Sequence, residues 1–242
     1  MTNNPYESPK NKTDLPQPPS DWLASTLRLV ALLGLLGLLL LMVMPRWPLG
    51  SARESARRVS CINNLHNIAL ALHSYESVYR SLPPAYTIDA AGNPLHSWRT
   101  LILPYLDQKR LYDQIDLSKP WDDPTNRAAN ETSLKIYQCS SAGLDKGQTT
   151  YLAVVAPGGC FQPTKPTPLA AITDSHNLTF MVIEVAENHA VHWMSPNDAS
   201  QDFVLNWADE EYPHAGGAMA VSVSFCVVAS SRSSATFDLV NL

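Results

Sequence analysis

The chain has 242 residues, of which 45% are hydrophobic and 16% charged, and its formal net charge is -5. This length is enough to bury a core, and one principal domain is the simplest expectation. The negative charge provides no basic field that would attract a nucleic acid, so we exclude nucleic acids as partners.

The four cysteines lie far apart in the sequence and include no C-x-x-C pair. Such pairs are typical of zinc sites and redox dithiols, so metal binding through sulfur is not expected. Two interpretations stay open. The cysteines form disulfides if the domain lies outside the cytoplasm, or they are buried free thiols if it lies inside. They are Cys61, Cys139, Cys160 and Cys226.

Residues 22–44 are predicted to form one transmembrane helix. From Leu29 to Met44 they read LVALLGLLGLLLLMVM, and about 20 apolar residues cross a hydrocarbon core of about 30 Å. Trp22 and Trp47 mark the two interfaces, and Arg28 lies near enough to one end to reach the headgroups. A cleaved secretory signal is the alternative, but the preceding segment is unusually long and proline-rich, and no small-x-small site ends the run.

Orientation in the membrane is weakly determined by charge. Lys10, Lys12 and Arg28 precede the apolar run, and several arginines follow it closely. The positive-inside rule alone favours a cytoplasmic domain weakly, whereas the even cysteine count favours an extracytoplasmic one.

Beyond the apolar run, residues 45–50 contain two prolines and a glycine and are predicted to bend or break the backbone. An amphipathic helix follows from about Ser51 to Tyr79 and ends before Pro83 and Pro84. Its predicted apolar stripe consists of Ala52, Ala56, Val59, Ile62, Leu65, Ala69 and Leu72.

After the prolines, the pattern changes to short segments of β character. Strands are predicted around 132–139, 149–157, 178–186, 190–195, 218–229 and 235–240. Between the long helix and these strands, Ser97 is expected to cap a short helix that begins at Trp98. Pro104 fits the first turn of another helical piece, on which Lys109 and Asp113 pair at i, i+4.

The order of elements resembles that of type IV pilins and type II secretion pseudopilins. More specifically, the chain resembles a large family of pilin-like proteins known only as a domain of unknown function, with members named as prepilin-type or major-pseudopilin-like proteins. The resemblance covers nearly all of 52–218. It rests on ARESARRVSCINNLHNIALALHSYESVYRSLPPAY, GNPLHSWRTLILPYLDQKRLYDQIDLSKPWDDPTN, YQCSSAG, TTYLAVVAPGG, AAITDSHNLTFMVIEVAENHAVHWMSPND and HAGGA.

This resemblance implies an α+β pilin-like fold, in which a long N-terminal helix, half transmembrane and half amphipathic, packs on an antiparallel β-sheet. It implies that residues 1–21 form a disordered cytoplasmic tail and that residues 51–242 form an extracytoplasmic domain anchored in the cytoplasmic membrane. It also favours disulfides over free thiols, with Cys61 bonded to Cys139 and Cys160 to Cys226.

The sequence departs from processed pilins before the apolar run. Pilin-type segments begin with a glycine followed by Phe-Thr-Leu-Val-Glu, whereas this chain reads DWLASTLRLVALLG and carries Arg28 where the glutamate would stand. The usual cleavage motif is therefore missing. The resemblance thus implies the lipid bilayer as a partner, with self-assembly or other pilin-like subunits as further partners, but not cleavage.

Candidate sites for chemistry are weak. His189 and His192 form an H-x-x-H pattern, but a strand would place them on opposite faces. Some major pseudopilins bind calcium in a C-terminal loop through oxygen ligands, and this suggests a low-ranked calcium site at Asp198, Asp202 and Asp209, followed by Glu210 and Glu211. A solvated acidic loop is the alternative. No other cofactor is expected.

The sequence contains no nucleophile elbow, P-loop or dinucleotide fingerprint. We therefore predict a non-enzymatic, membrane-anchored protein of the cell envelope that acts in assembly or interaction. The alternative is an extracytoplasmic module that binds carbohydrate or peptide through exposed aromatic rings, namely Trp98, Tyr105, Trp121 and Trp193. An enzyme with an unrecognised site ranks third.

Overall fold

A computed structural model describes most of the chain in two compact units, Met1–Gly50 and Ser51–Leu242. The proline-rich tail lies outside the described residues, as do Asp209 and Cys226. The described residues are 21–43, 47–173, 179–206, 212, 214, 217–224, 227–230 and 238–240.

The first unit contains helix α1, Trp22–Val43. Its segment Trp22–Leu40 is long and apolar enough to cross a membrane, and none of that segment is buried. Leu27 is 68% exposed and Val30 is 66% exposed. An apolar helix without a polar face requires an apolar environment around it, because contact between this much hydrocarbon surface and water is unfavourable.

Helix α2, Trp47–Tyr79, begins earlier than predicted. Pro48 and Gly50 lie inside it, so the helix is not broken at residues 47–50. Proline is tolerated in a first turn, where its missing N–H has no intrahelical acceptor. The helix ends as predicted, because Arg80 adopts a left-handed conformation (φ 60°) before the two prolines.

The predicted stripe of α2 is confirmed in its second half and wrong in its first. Ile62, Leu65, Ala69 and Leu72 are buried, whereas Ala52, Ala56 and Val59 are exposed. The buried face also includes Cys61 and Ile68, so that Cys61, Leu65, Ile68 and Leu72 recur at alternating steps of three and four residues. The same phase extends back through Arg58 to Glu54, which are half-buried.

Short elements connect α2 to the main sheet, and the predicted local signals are confirmed there. The Ser97 side chain caps α3 by accepting a hydrogen bond from the Arg99 N–H, and the Lys109 ammonium lies 2.7 Å from the Asp113 carboxylate. These elements are β1 (Tyr86–Ile88), β2 (Pro94–Ser97), α3 (Trp98–Leu101), a 3-10 turn (Leu103–Leu106), α4 (Lys109–Tyr112) and α5 (Arg127–Asn130).

The segment 132–139 was expected to be a strand and is not one. It forms a 3-10 turn, Lys135–Tyr137. The Tyr137 hydroxyl donates to the Arg99 carbonyl at 2.7 Å, so a tertiary contact overrides the local β-propensity of this segment.

In the part of the chain that the structure describes, the main sheet has six strands in the order β10-β9-β8-β5-β4-β7. Its neighbouring pairs are antiparallel, as predicted, except that the two-residue strand β7 pairs with β4 in parallel. β3 (Gln148–Thr149) and β6 (Val191–His192) form a separate antiparallel pair. The six strands are β4 (Tyr151–Val155), β5 (Phe180–Glu184), β7 (Ala199–Ser200), β8 (Ala218–Ser222), β9 (Val227–Ser230) and β10 (Asp238–Val240).

The sheet buries residues on both faces. Tyr151 and Ala153 of β4 belong to the core that contains the buried face of α2. Leu152 and Ile183 belong to a second core, against which residues of α6 (Gln201–Asn206) pack. Glu184 lies directly across from Tyr151 in the ladder, and directly opposed residues share a face. The Glu184 carboxylate is thereby placed under α2.

Candidate functional site

The stretch from His96 to Arg99 is a buried packing element. His96, Ser97, Trp98 and Arg99 are each 0% exposed. Among the described residues, the Arg99 guanidinium donates to five acceptors, which lie on three segments of the chain. They are the Ser97 hydroxyl, the carbonyls of Tyr151, Ser195 and Asn197, and the Asp198 carboxylate at 2.6 Å.

Asp198, the first calcium candidate, is engaged by protein donors. Its Oδ1 accepts from Arg99, from the Trp98 indole at 3.1 Å and from the Ala153 N–H at 2.7 Å. Burial raises the pKa of Asp198 to about 6, against the opposing effect of Arg99. Asp202 is exposed on α6. Because Asp209, Glu210 and Glu211 lie outside the described residues, the calcium site stays a prediction.

The aromatic residues do not form the exposed platform that a carbohydrate-binding module needs. Trp98 is 0% exposed and Trp193 is 1% exposed, while Tyr105 and Trp121 are half-buried. The Trp121 ring stacks on His192, with the centroids 4.8 Å apart. Two of the four proposed contact rings are therefore core residues.

The two histidines of the H-x-x-H pattern belong to different elements and make different contacts. His192 belongs to β6 and contacts the Asn130 carbonyl at 3.0 Å, whereas His189 ends a 3-10 turn, Glu187–His189, and packs edge-on against Phe203.

Folding brings Cys61 and Cys139 together from 78 positions apart, as the predicted pairing requires. Their sulfurs are 3.2 Å apart, which is longer than a disulfide bond of about 2.05 Å. Cys61, Cys139 and Cys160 are free thiols in the structure. The expected Cys61–Cys139 disulfide is therefore corrected to a thiol contact, and Cys160–Cys226 cannot be placed because Cys226 lies outside the described residues.

The two sulfurs belong to a buried cluster with His214 and Glu184. His214 Nε2 lies 3.3 Å from the Cys139 sulfur and 3.5 Å from Glu184 Oε1. One potential ligand atom from each of the four residues lies within 4.8 Å of every other. The residues are at most 3% exposed.

Each member of the cluster comes from a different element. Cys61 lies on the buried face of α2, and Cys139 follows the 3-10 turn Lys135–Tyr137. Glu184 ends β5, and His214 precedes β8. Asn64, one turn after Cys61 on α2, fixes the Cys139 segment by donating to the carbonyls of Lys135 and Gln138.

Glu54 orients the His214 ring from the side away from the sulfurs. Its Oε1 lies 2.9 Å from His214 Nδ1 and accepts from the Ser141 hydroxyl at 2.8 Å. Burial raises the pKa of Glu54, but the hydrogen bonds with Ser141 and His214 outweigh it and lower that pKa. An anionic Glu54 favours a proton on Nδ1, which directs Nε2 to the cluster.

The electrostatics of the cluster favour a thiolate next to an imidazolium. The hydrogen bond with Cys139 lowers the pKa of Cys61 to about 4, and the same bond raises the pKa of Cys139. Burial alone lowers the pKa of His214, but hydrogen bonds to Cys61, Glu184 and Glu54 raise it to about 10. The cluster can therefore hold negative charge on a sulfur and a carboxylate next to the protonated His214 ring.

Sequence spacing missed this cluster, because its members are spread over four elements. One signal was present in the α2 pattern. Glu54 lies seven positions before Cys61, two helical turns away on the same face. The helix face that contains the buried cysteine therefore also contains a charged residue. Ala52, Ala56 and Val59 of the predicted stripe lie off this face.

One comparison with known proteins finds a family. The profile of a family described as "Protein of unknown function (DUF1559)" matches residues 50–157. The match includes most of α2, both cluster cysteines and strand β4, and it ends before Glu184 and His214. No curated protein and no solved structure matches the chain.

Proposed function

We propose that this chain is a non-enzymatic, single-pass protein of the cytoplasmic membrane, pilin-like in plan, which presents residues 51–242 outside the cytoplasm for assembly or interaction. The observation that carries the proposal is α1, a 22-residue helix with a candidate membrane span in which no residue is buried. At about 1.5 Å per residue, this helix covers the roughly 30 Å of a hydrocarbon core.

An uncleaved anchor accounts for the length of α1 better than a secretory signal does. The apolar region of a signal peptide spans about 7–15 residues, and α1 exceeds that length. Retention of α1 in the mature protein would fix the domain at the membrane surface. The extracytoplasmic side is supported by the resemblance to pilins and pseudopilins.

The burial of the reactive groups supports a non-enzymatic role. A nucleophile or acid–base pair must contact substrate, and Cys61 and Glu184, for example, are 0% exposed. The pilin-like plan is supported by the second unit itself, where one face of the 33-residue helix α2 packs in the core shared with the main sheet.

Protease accessibility tests the topology. With a C-terminal epitope tag, we expect protease added to spheroplasts to remove the tag and the domain, while the tag stays intact in undisturbed cells and a cytoplasmic marker survives in both. Survival of the tag until the spheroplasts are lysed would show that the domain is cytoplasmic.

Two further measurements test whether α1 is retained in the mature protein and whether the protein acts in assembly or interaction. Intact-mass measurement should give a chain that starts at Met1 or Thr2, and a start beyond Val43 would identify α1 as a cleaved signal. An assembly or interaction role predicts crosslinked products that contain this chain in intact membranes. A chain that crosslinks neither to itself nor to another envelope protein contradicts that role.

A further inference from the structure

We propose that Cys61, Cys139, Glu184 and His214 bind one thiophilic divalent cation, of which Zn²⁺ is the best representative, in a closed structural site. This inference goes beyond the proposed function and does not depend on it, because the four ligands and their geometry lie within the second unit. The proposed membrane topology and the proposed metal site can therefore be refuted independently of each other.

The separations of the ligand atoms fit a tetrahedral ion. Zn–S bonds of about 2.3 Å and Zn–N or Zn–O bonds of about 2.0 Å place ligands about 3.3–3.8 Å apart at the corners of a tetrahedron. The observed S–S, S–N and N–O separations are 3.2, 3.3 and 3.5 Å, and no pair in the set exceeds 4.8 Å. Small side-chain rotations would complete the tetrahedron.

The ligand set selects the class of metal. Two thiolates and an imidazole favour soft or borderline ions, whereas calcium and magnesium require mainly oxygen ligands. Four protein ligands leave no open position for substrate, which is typical of a structural rather than a catalytic zinc site. Binding of the cation releases the remaining thiol proton and the His214 Nε2 proton to solvent and changes no oxidation state.

The surroundings of the cluster also fit an ion. Glu54 holds His214 Nδ1 at 2.9 Å, the carboxylate–histidine arrangement that orients metal ligands in other proteins. On the other side, the buried Tyr151 hydroxyl has no hydrogen-bond partner among the described residues. A cation at the centre of the cluster would offset the negative charge that the sulfurs and the Glu184 carboxylate concentrate there.

Such an ion would join four segments that are distant in sequence. The α2 helix, the loop after Tyr137, the end of β5 and the segment before β8 each contribute one ligand. Because the unfolded chain does not hold these ligands together, metal binding stabilises the folded state.

The wild-type protein provides the first test. The full-length chain is purified in detergent without chelators and under anaerobic conditions, and its metal content is measured by elemental analysis. We expect about one Zn²⁺ per chain, and the removal of zinc by a chelator should lower the melting temperature. Added Zn²⁺ should restore it. Loading with Co²⁺ alone should produce sulfur-to-metal charge-transfer absorption, which reports thiolate ligands without any variant.

Variants with a matched control provide the second test. Cys61→Ser, Cys139→Ser and His214→Gln should each lose stoichiometric zinc and the Co²⁺ absorption. Cys160→Ser should retain both, because Cys160 is equally buried but lies outside the cluster. Glu54→Gln keeps all four ligands and should weaken zinc binding about 10- to 100-fold.

The rival outcome is oxidation of the same two cysteines. Peptide mass spectrometry of native membranes, with free thiols alkylated before lysis, would reveal a Cys61–Cys139 disulfide, and this result would overturn the metal site. The proposal also fails if the reduced wild-type protein binds neither Zn²⁺ nor Co²⁺, or if Cys160→Ser loses zinc as completely as Cys61→Ser does.

Discussion

Replacement of Arg99 by Met should destabilise the second unit severely. Arg99 is 0% exposed and donates to five acceptors from Ser97 to Asp198. Methionine approximates the length of the aliphatic stem, so the change removes the charge and the donors more than it removes packing.

The size of the effect follows from the groups left behind. The Asp198 carboxylate would stay buried with only the Trp98 indole and the Ala153 N–H as donors. Removing one partner of a buried ion pair costs about 3–5 kcal/mol, and the carbonyls of Tyr151 and Asn197 would each lose a donor. We expect a loss of about 4 kcal/mol in the free energy of unfolding.

Urea unfolding of the detergent-solubilised chain, followed by tryptophan fluorescence, measures this loss. Arg127→Met is the matched control, because Arg127 forms an exposed i, i+4 pair with Glu131, and it should leave the urea midpoint unchanged. In the double variant Arg99→Met with Asp198→Leu, part of the loss should be recovered, since the stranded charge is gone. A midpoint for Arg99→Met equal to that of wild type would refute the reasoning.

Two further predictions concern His96 and Gly147. Burial lowers the pKa of His96, so its contribution to stability is present above about pH 6.5 and is lost as the pH falls. His96→Asn should therefore flatten the dependence of unfolding free energy on pH between 7 and 5, and an unchanged slope would contradict this. Gly147 has φ +76°, and an added Cβ would lie 2.7 Å from His192 Nε2. Gly147→Ala should thus cost at least about 1 kcal/mol more than Gly158→Ala, which has φ +75° and open space, and equal urea midpoints would exclude the clash.

Local signals in the sequence predicted the elements that depend on local physics. The α1 helix follows from an uninterrupted apolar run, and the Ser97 cap follows from a short polar side chain before a helical segment. The strands β4, β5 and β8 were predicted from segments rich in valine and isoleucine, because these residues pack well on a pleated surface.

The sequence predictions were wrong where tertiary contacts determine the local structure. Alanine and valine at positions 52, 56 and 59 are compatible with a buried or an exposed helix face, so periodicity wrongly added them to a stripe whose second half is buried. The turn at Lys135–Tyr137 depends on a hydrogen bond from Tyr137 to Arg99, a partner 38 positions away. The parallel pairing of β4 with β7 likewise depends on the path of the whole chain.

The candidate metal site was the hardest feature to predict, because chain topology alone brings its ligands together. Zinc sites with short ligand spacing are visible in a sequence, since two ligands share one turn. Here each ligand lies on a separate element, and the cysteines taken alone suggest a disulfide equally well. Only the approach of His214 and Glu184 to the sulfur pair separates a metal site from a simple thiol pair.

Tyr151 connects the two polar centres of the core. Its carbonyl accepts from the Arg99 side chain at 3.0 Å, while its side chain shares a sheet face with Glu184, across the ladder. The hydrogen bonds of the Arg99 side chain therefore help to fix strand β4, which lies beside the cysteine cluster. This arrangement gives the buried Arg99 a structural role: its side chain helps to determine the position of β4, and β4 in turn helps to determine the position of the candidate cation site under α2.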